Sequence, residues 1–503
     1  MANVRLTGGA YQARSVLAAA QRCLDLYAEP MPQVQGEPSP FAYYPTAGLS
    51  APLVTLPTAP VRGLYRATND QLYAVGGSTV YAVSSGFAAT ALGTITPGLV
   101  RPVSMTDNGN DLVIVDGTSG GWSVTLAGNT FAPLPAIVPK FQAGGATMAA
   151  NGTGYKVGDI LRADGGTLRD GQSAVAFTVT TIDASGGVTG LATASPGTYS
   201  VKPDDPTPLT YAGLGSGATV HLLYNDISDP TAFRGGDRVD YLDTFILVTV
   251  PGTPQFQSSD SLALTFDPLY FANKESHSDL LASLAVAKRE IWLIGESTTE
   301  IWLNSGKPDF PFEAMPNVII DNGTCAKYSV AVVDNTVFWL SQSRQGHGIV
   351  MQGAGYQNTR VSTYAIEYEL STYPRLDDAI GMSYTYAGHT FYHLTFPSAN
   401  ANMGKTWLYD LTTQQWSELA WIDTNGEEWR HRANCAAFCY DQVIVGDWQN
   451  GNLYRLDPNV FTDFGGPIRR QRSFPHLTND GSRAFFQRFR ADMETGTAPA
   501  GLV

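Results

Sequence analysis

Residues 63–85, GLYRATNDQLYAVGGSTVYAVSS, contain three apolar segments that are separated by two tight polar turns. The turns are Asn69-Asp70 and Gly76-Gly77, and residues of these types commonly close short β-hairpins. Within the segments apolar residues alternate with others, which is the period of a half-buried strand. The stretch therefore predicts three antiparallel β-strands that are joined by hairpins.

Further stretches repeat this pattern, with an apolar-x-apolar strand just before a turn and another just after it. They are residues 103–126, 237–259, 281–306, 328–353, 380–419 and 436–458. Consecutive copies start roughly 40 to 55 residues apart except across one long gap, and this period is typical of a β-propeller. We therefore predict an all-β fold, a β-propeller of six or seven blades with an inserted small β-domain and a few short helices. A β-sandwich array is the alternative, but its strands would not fall into regular groups at this spacing.

The long gap between the second and third copies has a different composition. Residues 139–225 are rich in Gly, Thr and Ala and nearly free of Trp. We interpret them as an independent Gly-rich β-domain that projects from a loop between blades, because such loops tolerate insertions. The predicted domains are residues 1–60, an N-terminal segment packing on the propeller or a neighbouring subunit; 61–138 plus 226–460, the propeller; 139–225, the insert; and 461–503, the start of a C-terminal β-region.

Two short helices and a C-terminal strand are also expected. Residues 14–26 carry an apolar stripe at helical spacing, and VSTYAIEYELS at 361–371 is the second predicted helix. In RAFFQRFRADME, residues 483–494, apolar and charged residues alternate, which predicts a strand with one buried face. We expect this strand to pair with the N-terminal segment or with a neighbouring subunit, or the natural chain to continue beyond Val503.

The composition excludes several classes of protein. Charged residues make up 15% and aromatic residues 11% of the 503 residues, whereas disorder needs high charge with few aromatics. A net charge of −14 argues against tight binding to DNA over a large surface. Four cysteines are too few for a disulfide framework, so we expect reduced thiols in a protein made in the cytoplasm. The longest apolar runs are too short for a membrane span, and the charges of the N-terminus do not fit a secretory signal.

Pairs of potential metal ligands occur twice. Cys435 and Cys439 lie four residues apart, but a zinc site needs a second pair of ligands, so we favour two buried thiols. His389 and His393 have the same spacing, with neither a carboxylate nor a third histidine near them in sequence, so we favour packing or a polar rim. The familiar catalytic and nucleotide-binding motifs do not occur. We therefore expect no enzymatic activity, no catalytic residue, no cofactor and no metal.

A run of arginines lies near the end of this acidic chain. It contains Arg469, Arg470, Arg472, Arg488 and Arg490. The simplest interpretation is a solvated face or a face between protomers. The functional interpretation is contact with an acidic partner or with a phosphate backbone. These five residues form the candidate interface.

Four long stretches have specific motifs, of which none is catalytic. They are EIWLIGESTTEIWLNSGKPDFPFEAMP (290–316), DNGTCAKYSVAVVDNTVFWLSQSRQGHG (321–348), GYQNTRVSTYAIEYEL (355–370) and residues 388–416 with TWLYDLTTQQW. Together they resemble the packaged-DNA stabilization proteins, or tail hub proteins, of short-tailed bacteriophages. Residues 18–49 and 469–496 are similar to the same family.

The resemblance implies a structural protein of the virion tail. Such proteins form a homo-oligomeric ring, a hexamer, below the portal or its adaptor. They close the DNA-filled head and anchor tail spikes, fibres or a needle. The resemblance also implies transient contact with packaged DNA and assembly in the host cytoplasm.

Two other function classes stay open. One is a glycan-binding or adhesive propeller whose insert is the recognition unit, which exposed Trp and Tyr clusters on one face of the insert would support. The other is a glycan-cleaving enzyme, which needs two or more carboxylates that converge in a central pocket. The sequence alone does not place such a pair.

Overall fold

A computed structural model describes residues 8–14, 19–31, 41–134, 141–168, 173–226, 233–307, 310–343 and 346–474. The candidate residues Arg488 and Arg490, and the strand predicted at 483–494, lie outside these ranges. Within them the chain is almost entirely β-structure, as the sequence predicts. In this part of the chain, no helix is long and apolar enough to cross a membrane.

The N-terminal segment forms short strands. They are β1 (Tyr11–Gln12), β2 (Ala20–Gln21), β3 (Cys23–Leu24), β4 (Leu26–Pro30), β5 (Phe41–Pro45), β6 (Gly48–Leu49) and β7 (Val54–Thr55). The helix predicted for residues 14–26 is wrong over its described residues. Cys23 and Leu24 instead pair with strands from near the end of the chain, so tertiary pairing overrides the local helical pattern.

The first two blades follow as four-stranded antiparallel sheets. Blade one contains β8 (Val61–Arg66), β9 (Leu72–Gly76), β10 (Thr79–Val83) and β11 (Ala89–Thr94), and blade two contains β12 (Ser104–Asp107), β13 (Asp111–Val115), β14 (Gly121–Thr125) and β15 (Thr130–Pro133). Asp70 and Gly77 have φ values of +60° and +52° in the turns of blade one. Positive φ is what short hairpin turns require, and this confirms the turns predicted there.

An eight-stranded sheet separates blades two and three. Its strands are β16 (Phe141–Thr153), β17 (Ile160–Ala163), β18 (Thr167–Leu168), β19 (Ala176–Ile182), β20 (Val188–Ser195), β21 (Gly197–Val201), β22 (Thr207–Thr210) and β23 (Ser216–Asp226). They are ordered β18-β21-β16-β23-β22-β17-β19-β20. Its buried cluster, which includes Tyr155, Phe177 and Tyr199, draws only on residues of this sheet and its turns.

Blades three to five are again four-stranded. They contain β24 (Val239–Leu242), β25 (Phe245–Thr249), β26 (Gln255–Ser258) and β27 (Phe271–Asn273); β28 (Leu281–Ala287), β29 (Glu290–Gly295), β30 (Thr299–Asn304) and β31 (Phe312–Ile320); and β32 (Ala331–Val333), β33 (Thr336–Gln342), β34 (Gly348–Ala354) and β35 (Gln357–Arg360). A 3₁₀ turn at Lys327–Ser329 precedes blade five. Helix α1 (Tyr364–Leu370) follows it, capped by the Thr363 side chain, and confirms the helix predicted at 361–371.

Blades six and seven complete the ring. They contain β36 (Ile380–Tyr386), β37 (His389–Phe396), β38 (Lys405–Asp410), β39 (Gln415–Ile422) and β40 (Glu428–Arg430); and β41 (Ala433–Cys439), β42 (Gln442–Asp447) and β43 (Asn452–Asp457). A second 3₁₀ turn lies at Asn400–Asn402. The final described strands are β44 (Thr462–Asp463), β45 (Gly466–Pro467) and β46 (Gln471–Arg472).

The ring closes through the N-terminal segment. The fourth position of blade seven is taken by β6 and β7, which pair with β43. The first strand of each blade contacts the first strand of the next, and β41 contacts β8 to close the circle. The described chain therefore forms a propeller of seven blades, the upper of the two predicted numbers.

The hydrophobic core lies between neighbouring blades. Trp292 of blade four packs on Trp339 of blade five, with ring centroids 6.3 Å apart. Phe338 of blade five stacks on Tyr392 of blade six at 5.2 Å. Such aromatic contacts between blades fix each sheet against the next.

Candidate functional site

Arg469, Arg470 and Arg472, the described arginines of the candidate interface, lie where both ends of the described chain meet blade six. Strand β3 pairs in parallel with β39, the outer strand of this blade, and β46 pairs antiparallel with β3. Two elements from opposite ends of the sequence thereby extend one sheet. We call this region, with Arg22, Asp25, Glu428 and strands β3, β39, β44 and β46, the terminal seam.

Arg22 is the centre of an ion-pair network in the terminal seam. Its Nη2 lies 2.9 Å from Glu418 Oε2 and 2.5 Å from Glu428 Oε2. Lys405 also contacts Glu418, at 2.6 Å, and Arg469 contacts Glu428, at 3.1 Å. Burial opposes ionisation of Glu428, but Arg22 and Arg469 outweigh it and lower the pKa of this carboxyl. The network therefore binds the N-terminal segment, blade six and the C-terminal segment through charge.

Arg472 ties the same segments through backbone contacts. Its Nη1 donates to the carbonyl oxygens of Gly9, at 3.2 Å, and Arg22, at 3.3 Å. Its Nη2 donates to Gln21 Oε1 at 2.9 Å. Its guanidinium lies over the ring of Tyr43, 5.2 Å from the centroid. These contacts make Arg472 a structural residue of the terminal seam rather than a free surface charge.

Two buried carboxyl groups and the partly buried Arg470 lie together beneath the seam. Asp25 and Asp463 are 1% and 4% exposed, and each has one carboxylate oxygen without a hydrogen-bond partner among the described residues. Arg470 acts electrostatically on both, yet its Nε and Nη2 have no such partner either. Burial raises the pKa of Asp25 well above its ordinary value and raises that of Asp463 to about 7. Asp463 can therefore change charge near neutral pH.

Exposed aromatic residues flank these charges. Phe461, Phe464 and Phe474 lie beside β44 to β46, and Tyr44 lies in β5; all four are about half exposed. Arg470 stacks on Phe461 with its guanidinium carbon 5.6 Å from the ring centroid. Exposed aromatics next to arginines are typical of surfaces that bind other proteins.

Sequence reasoning placed Arg469, Arg470 and Arg472 in one region, and the structure brings all three to the seam. The sequence analysis missed Arg22 and Asp25, because the segment that contains them was predicted as a helix. Their partners lie some 400 positions away in sequence, and no local pattern points to them. The arginines alone indicated that the C-terminal segment was unusual.

The cysteine and histidine pairs lie inside the propeller. Burial raises the pKa of Cys435 to about 12. His389 Nδ1 lies 2.8 Å from Asp410, and the ring of His393 lies 5.5 Å from that of His431. The structure thus supplies a carboxylate and a third histidine that are distant in sequence. Across the described ranges, no group of three or more potential ligands is placed to hold a metal ion.

Residues 239–461 match the model of a phage-stabilisation family described as "Bacteriophage P22 Gp10, beta-propeller". The match covers less than half of the chain and supports a relation to the phage packaged-DNA stabilization family. The resemblance inferred from the sequence is thereby confirmed over blades three to seven. The match supports a structural protein of a bacteriophage virion.

Several solved structures are similar to the chain at low identity. BamB from Moraxella catarrhalis is 10% identical with a TM-score of 0.38, over 80% of this chain and 98% of that one. U3-55K is 8% identical with a TM-score of 0.39, over 82% and 98%. The WD40 propeller domain of Doa1 is 11% identical with a TM-score of 0.37, over 81% and 95%. No curated protein matches the chain.

Proposed function

We propose that this protein is a structural component of a bacteriophage tail that forms a homo-oligomeric ring, a hexamer, below the portal or its adaptor. The ring closes the DNA-filled head, contacts the packaged DNA transiently and anchors tail spikes, fibres or a needle. The family match over residues 239–461 carries this proposal. A propeller suits it because seven packed blades make a stiff block with several loop-bearing surfaces.

The terminal seam is the surface that we assign to contact between subunits of the ring. Most charged side chains of the seam pair with others in the same chain, so they fix the conformation of this surface. Its exposed aromatics, Phe461, Phe464 and Phe474, are then the groups that gain most from burial against a neighbour. Large exposed apolar residues on a soluble protein commonly mark such contacts.

The experiment compares two pairs of substitutions in phage particles. Phe461→Ser with Phe464→Ser removes aromatic surface at the seam. Leu262→Ser with Leu269→Ser removes similarly exposed apolar surface from blade three. We expect particles with the seam variant to lose the protein ring and to leak DNA, and particles with the blade-three variant to keep both.

Electron cryomicroscopy of the particles reads out the ring directly. A map that shows the unmodified chain only as a single peripheral copy would contradict the proposed ring. If the seam variant still assembles an intact ring, the proposed ring is supported, but its subunits contact one another through a different surface.

The insert offers no observation that favours the glycan-binding alternative. The large hydrophobic residues most exposed in its described part are aliphatic, among them Ile160, Leu214 and Leu223. Tyr155 and Tyr199 are buried in its core. We therefore propose no second function, and the role of the insert stays a prediction.

A further inference from the structure

Basic residues converge at one end of the propeller axis. Arg62 is the second residue of β8, Arg101 lies three residues before β12, and Arg238 directly precedes β24. Tyr328 lies three residues before β32. These residues come from blades one, two, three and five, and they meet because the first strands of all blades surround the axis.

Gly117 shows how close the groups lie. A Cβ atom at this position would be 2.7 Å from Asp237 Oδ1, 3.0 Å from Arg101 Cζ and 3.1 Å from the Tyr328 hydroxyl. The charges of Arg101 and Arg238 also act on Tyr328, and the phenol acts on Arg62. We call Arg62, Arg101, Arg238 and Tyr328 the axial cluster.

The arginines of the axial cluster hydrogen-bond to backbone carbonyls rather than to carboxylates. The bonds are Arg62 Nε to Arg101 O at 2.8 Å, Arg62 Nη1 to Gly77 O at 2.8 Å, Arg101 Nε to Asp116 O at 2.7 Å and Arg238 Nη2 to Val330 O at 3.2 Å. In the described residues, none of the three lies within ion-pair distance of a carboxylate. The three positive charges are therefore close together without a direct ion pair, although Asp116 acts electrostatically on Arg62, and Asp240 and Asp237 act on Arg238.

The same cluster contains buried donors without an acceptor in the described chain. They are Nη2 of Arg62, Nε of Arg238 and the hydroxyl of Tyr328. Arg62 is 1% exposed and Tyr328 is 7% exposed. Burial raises the pKa of Tyr328 to about 12, so the phenol keeps its proton at neutral pH and can donate it. A buried donor without an acceptor costs about 1–3 kcal/mol, which a bound anion would relieve.

The acidic groups near the axial cluster determine which anions the cluster can bind. Asp237 pairs with Lys327 at 2.5 Å, so its charge is compensated. Asp116 is fully buried, and its Oδ1 accepts from Thr118, whereas its Oδ2 has no partner in the described residues. A free carboxylate oxygen repels a fully deprotonated anion but accepts a hydrogen bond from one that retains an O–H group.

We propose that the axial cluster binds a phosphate group that retains a proton, with Arg62, Arg101, Arg238 and Tyr328 donating to its oxygens and Asp116 accepting from its O–H. Free hydrogen phosphate and the singly ionised form of a phosphate monoester share this chemistry. A phosphodiester lacks the O–H group, and so does sulfate at neutral pH. The site is independent of the proposed ring, because its residues all lie on one chain.

Isothermal titration calorimetry of the full chain tests the site, with chloride holding the ionic strength constant. Inorganic phosphate should bind, and sulfate should bind about tenfold more weakly because it cannot donate to Asp116. Adenosine monophosphate, titrated at about pH 6 where its singly ionised form is populated, distinguishes the source. Binding indicates that the site admits a monoester, and failure to bind limits it to the free ion. Phosphate that binds no better than sulfate would overturn the proposal.

Substitutions locate the binding. Tyr328→Phe should weaken phosphate binding several-fold without lowering the melting temperature, because the lost hydroxyl has no partner in the described chain. Arg101→Gln should weaken binding about tenfold. Arg289→Gln is the matched control. Arg289 lies on a turn of blade four, is exposed, and pairs with Asp243 of blade three. Equal phosphate affinity in Arg101→Gln and Arg289→Gln would show that the axial cluster is not the site.

Discussion

The carboxyl group of Asp463 is buried, and one of its oxygens has no hydrogen-bond partner among the described residues. Burial raises its pKa from an ordinary 3.8 to about 7, although Arg470 and Arg432 act in the opposite direction. Asp25 lies close enough to interact with it electrostatically, and the two carboxylates repel each other when both are ionised. Folding therefore favours the neutral form of Asp463. This contribution to the stability of the folded chain is complete below pH 3.8 and is lost as the pH rises through 7.

Asp463→Asn should remove this dependence on pH. The amide cannot ionise, so at pH 8 the variant should be more stable than the unmodified protein by on the order of 2 kcal/mol. At about pH 3.5, below the ordinary pKa, the difference should nearly vanish. Thermal unfolding at both pH values measures it, with Asp441→Asn on an exposed turn as the control. Equal melting temperatures for Asp463→Asn and the unmodified protein at pH 8 would contradict the assignment.

Arg22 is the residue on which the ion pairs of the seam depend. Arg22→Ala leaves Glu418, which is 2% exposed, with Lys405 as its remaining cationic partner. We expect a loss of about 2 kcal/mol of stability, because a buried charge that loses a partner is costly. Chemical denaturation provides the measurement, and Arg289→Ala should change little. A loss that is no larger than for Arg289→Ala would mean that solvent screens the network.

At the level of elements, blade seven depends on strands that are distant in sequence. Its fourth position is taken by β6 and β7, so its outer edge is complete only while the N-terminal segment is docked. Gly48 in β6 permits this docking, since a Cβ there would lie 2.3 Å from Val460 O and 2.6 Å from Thr462 O. Backbone atoms cannot move aside as a flexible side chain can.

Gly48→Ala should therefore weaken the closure of the ring. We expect a loss of about 1–3 kcal/mol from overpacking, together with faster hydrogen exchange in β43. Gly86→Ala is the matched control, because a Cβ there meets only Ser84 Oγ, at 3.9 Å. Unchanged exchange in β43 would show that β6 does not protect blade seven.

The elements also show what the sequence could predict. Turns such as Asn69-Asp70 and the alternating segments beside them are local signals, and they predicted the blades. Helix α1 was found for the same reason. The strands at residues 20–24 were missed because their apolar spacing fits a helix, and only pairing with Glu418 and Gln471 makes them extended. The seam that they build could not be predicted because its contacts join opposite ends of the chain.

On the scale of the whole molecule, the eight-stranded insert has its own core. The buried cluster that contains Phe177 and Tyr199 includes residues of the insert alone. The chain leaves blade two after Leu134 and returns at Phe233. Both residues pack on Gly121, within 3 Å of where its Cβ would lie. The two ends of the inserted segment are therefore adjacent, so a short linker can join them without distorting the propeller.

Replacement of residues 136–231 by a short Gly-Ser linker should leave the propeller folded, because the cluster that joins Leu134 and Phe233 to Val115 and Val248 remains complete. We expect a melting temperature within about 4 °C of the intact chain, since a change below 1 kcal/mol shifts it by no more than this in a large domain. Differential scanning calorimetry measures it. Removal of blade five, residues 331–360, is the control and should abolish folding, because it takes Phe338 and Trp339 from two core clusters. Loss of cooperative unfolding in the shortened chain would show instead that the insert is part of the propeller core.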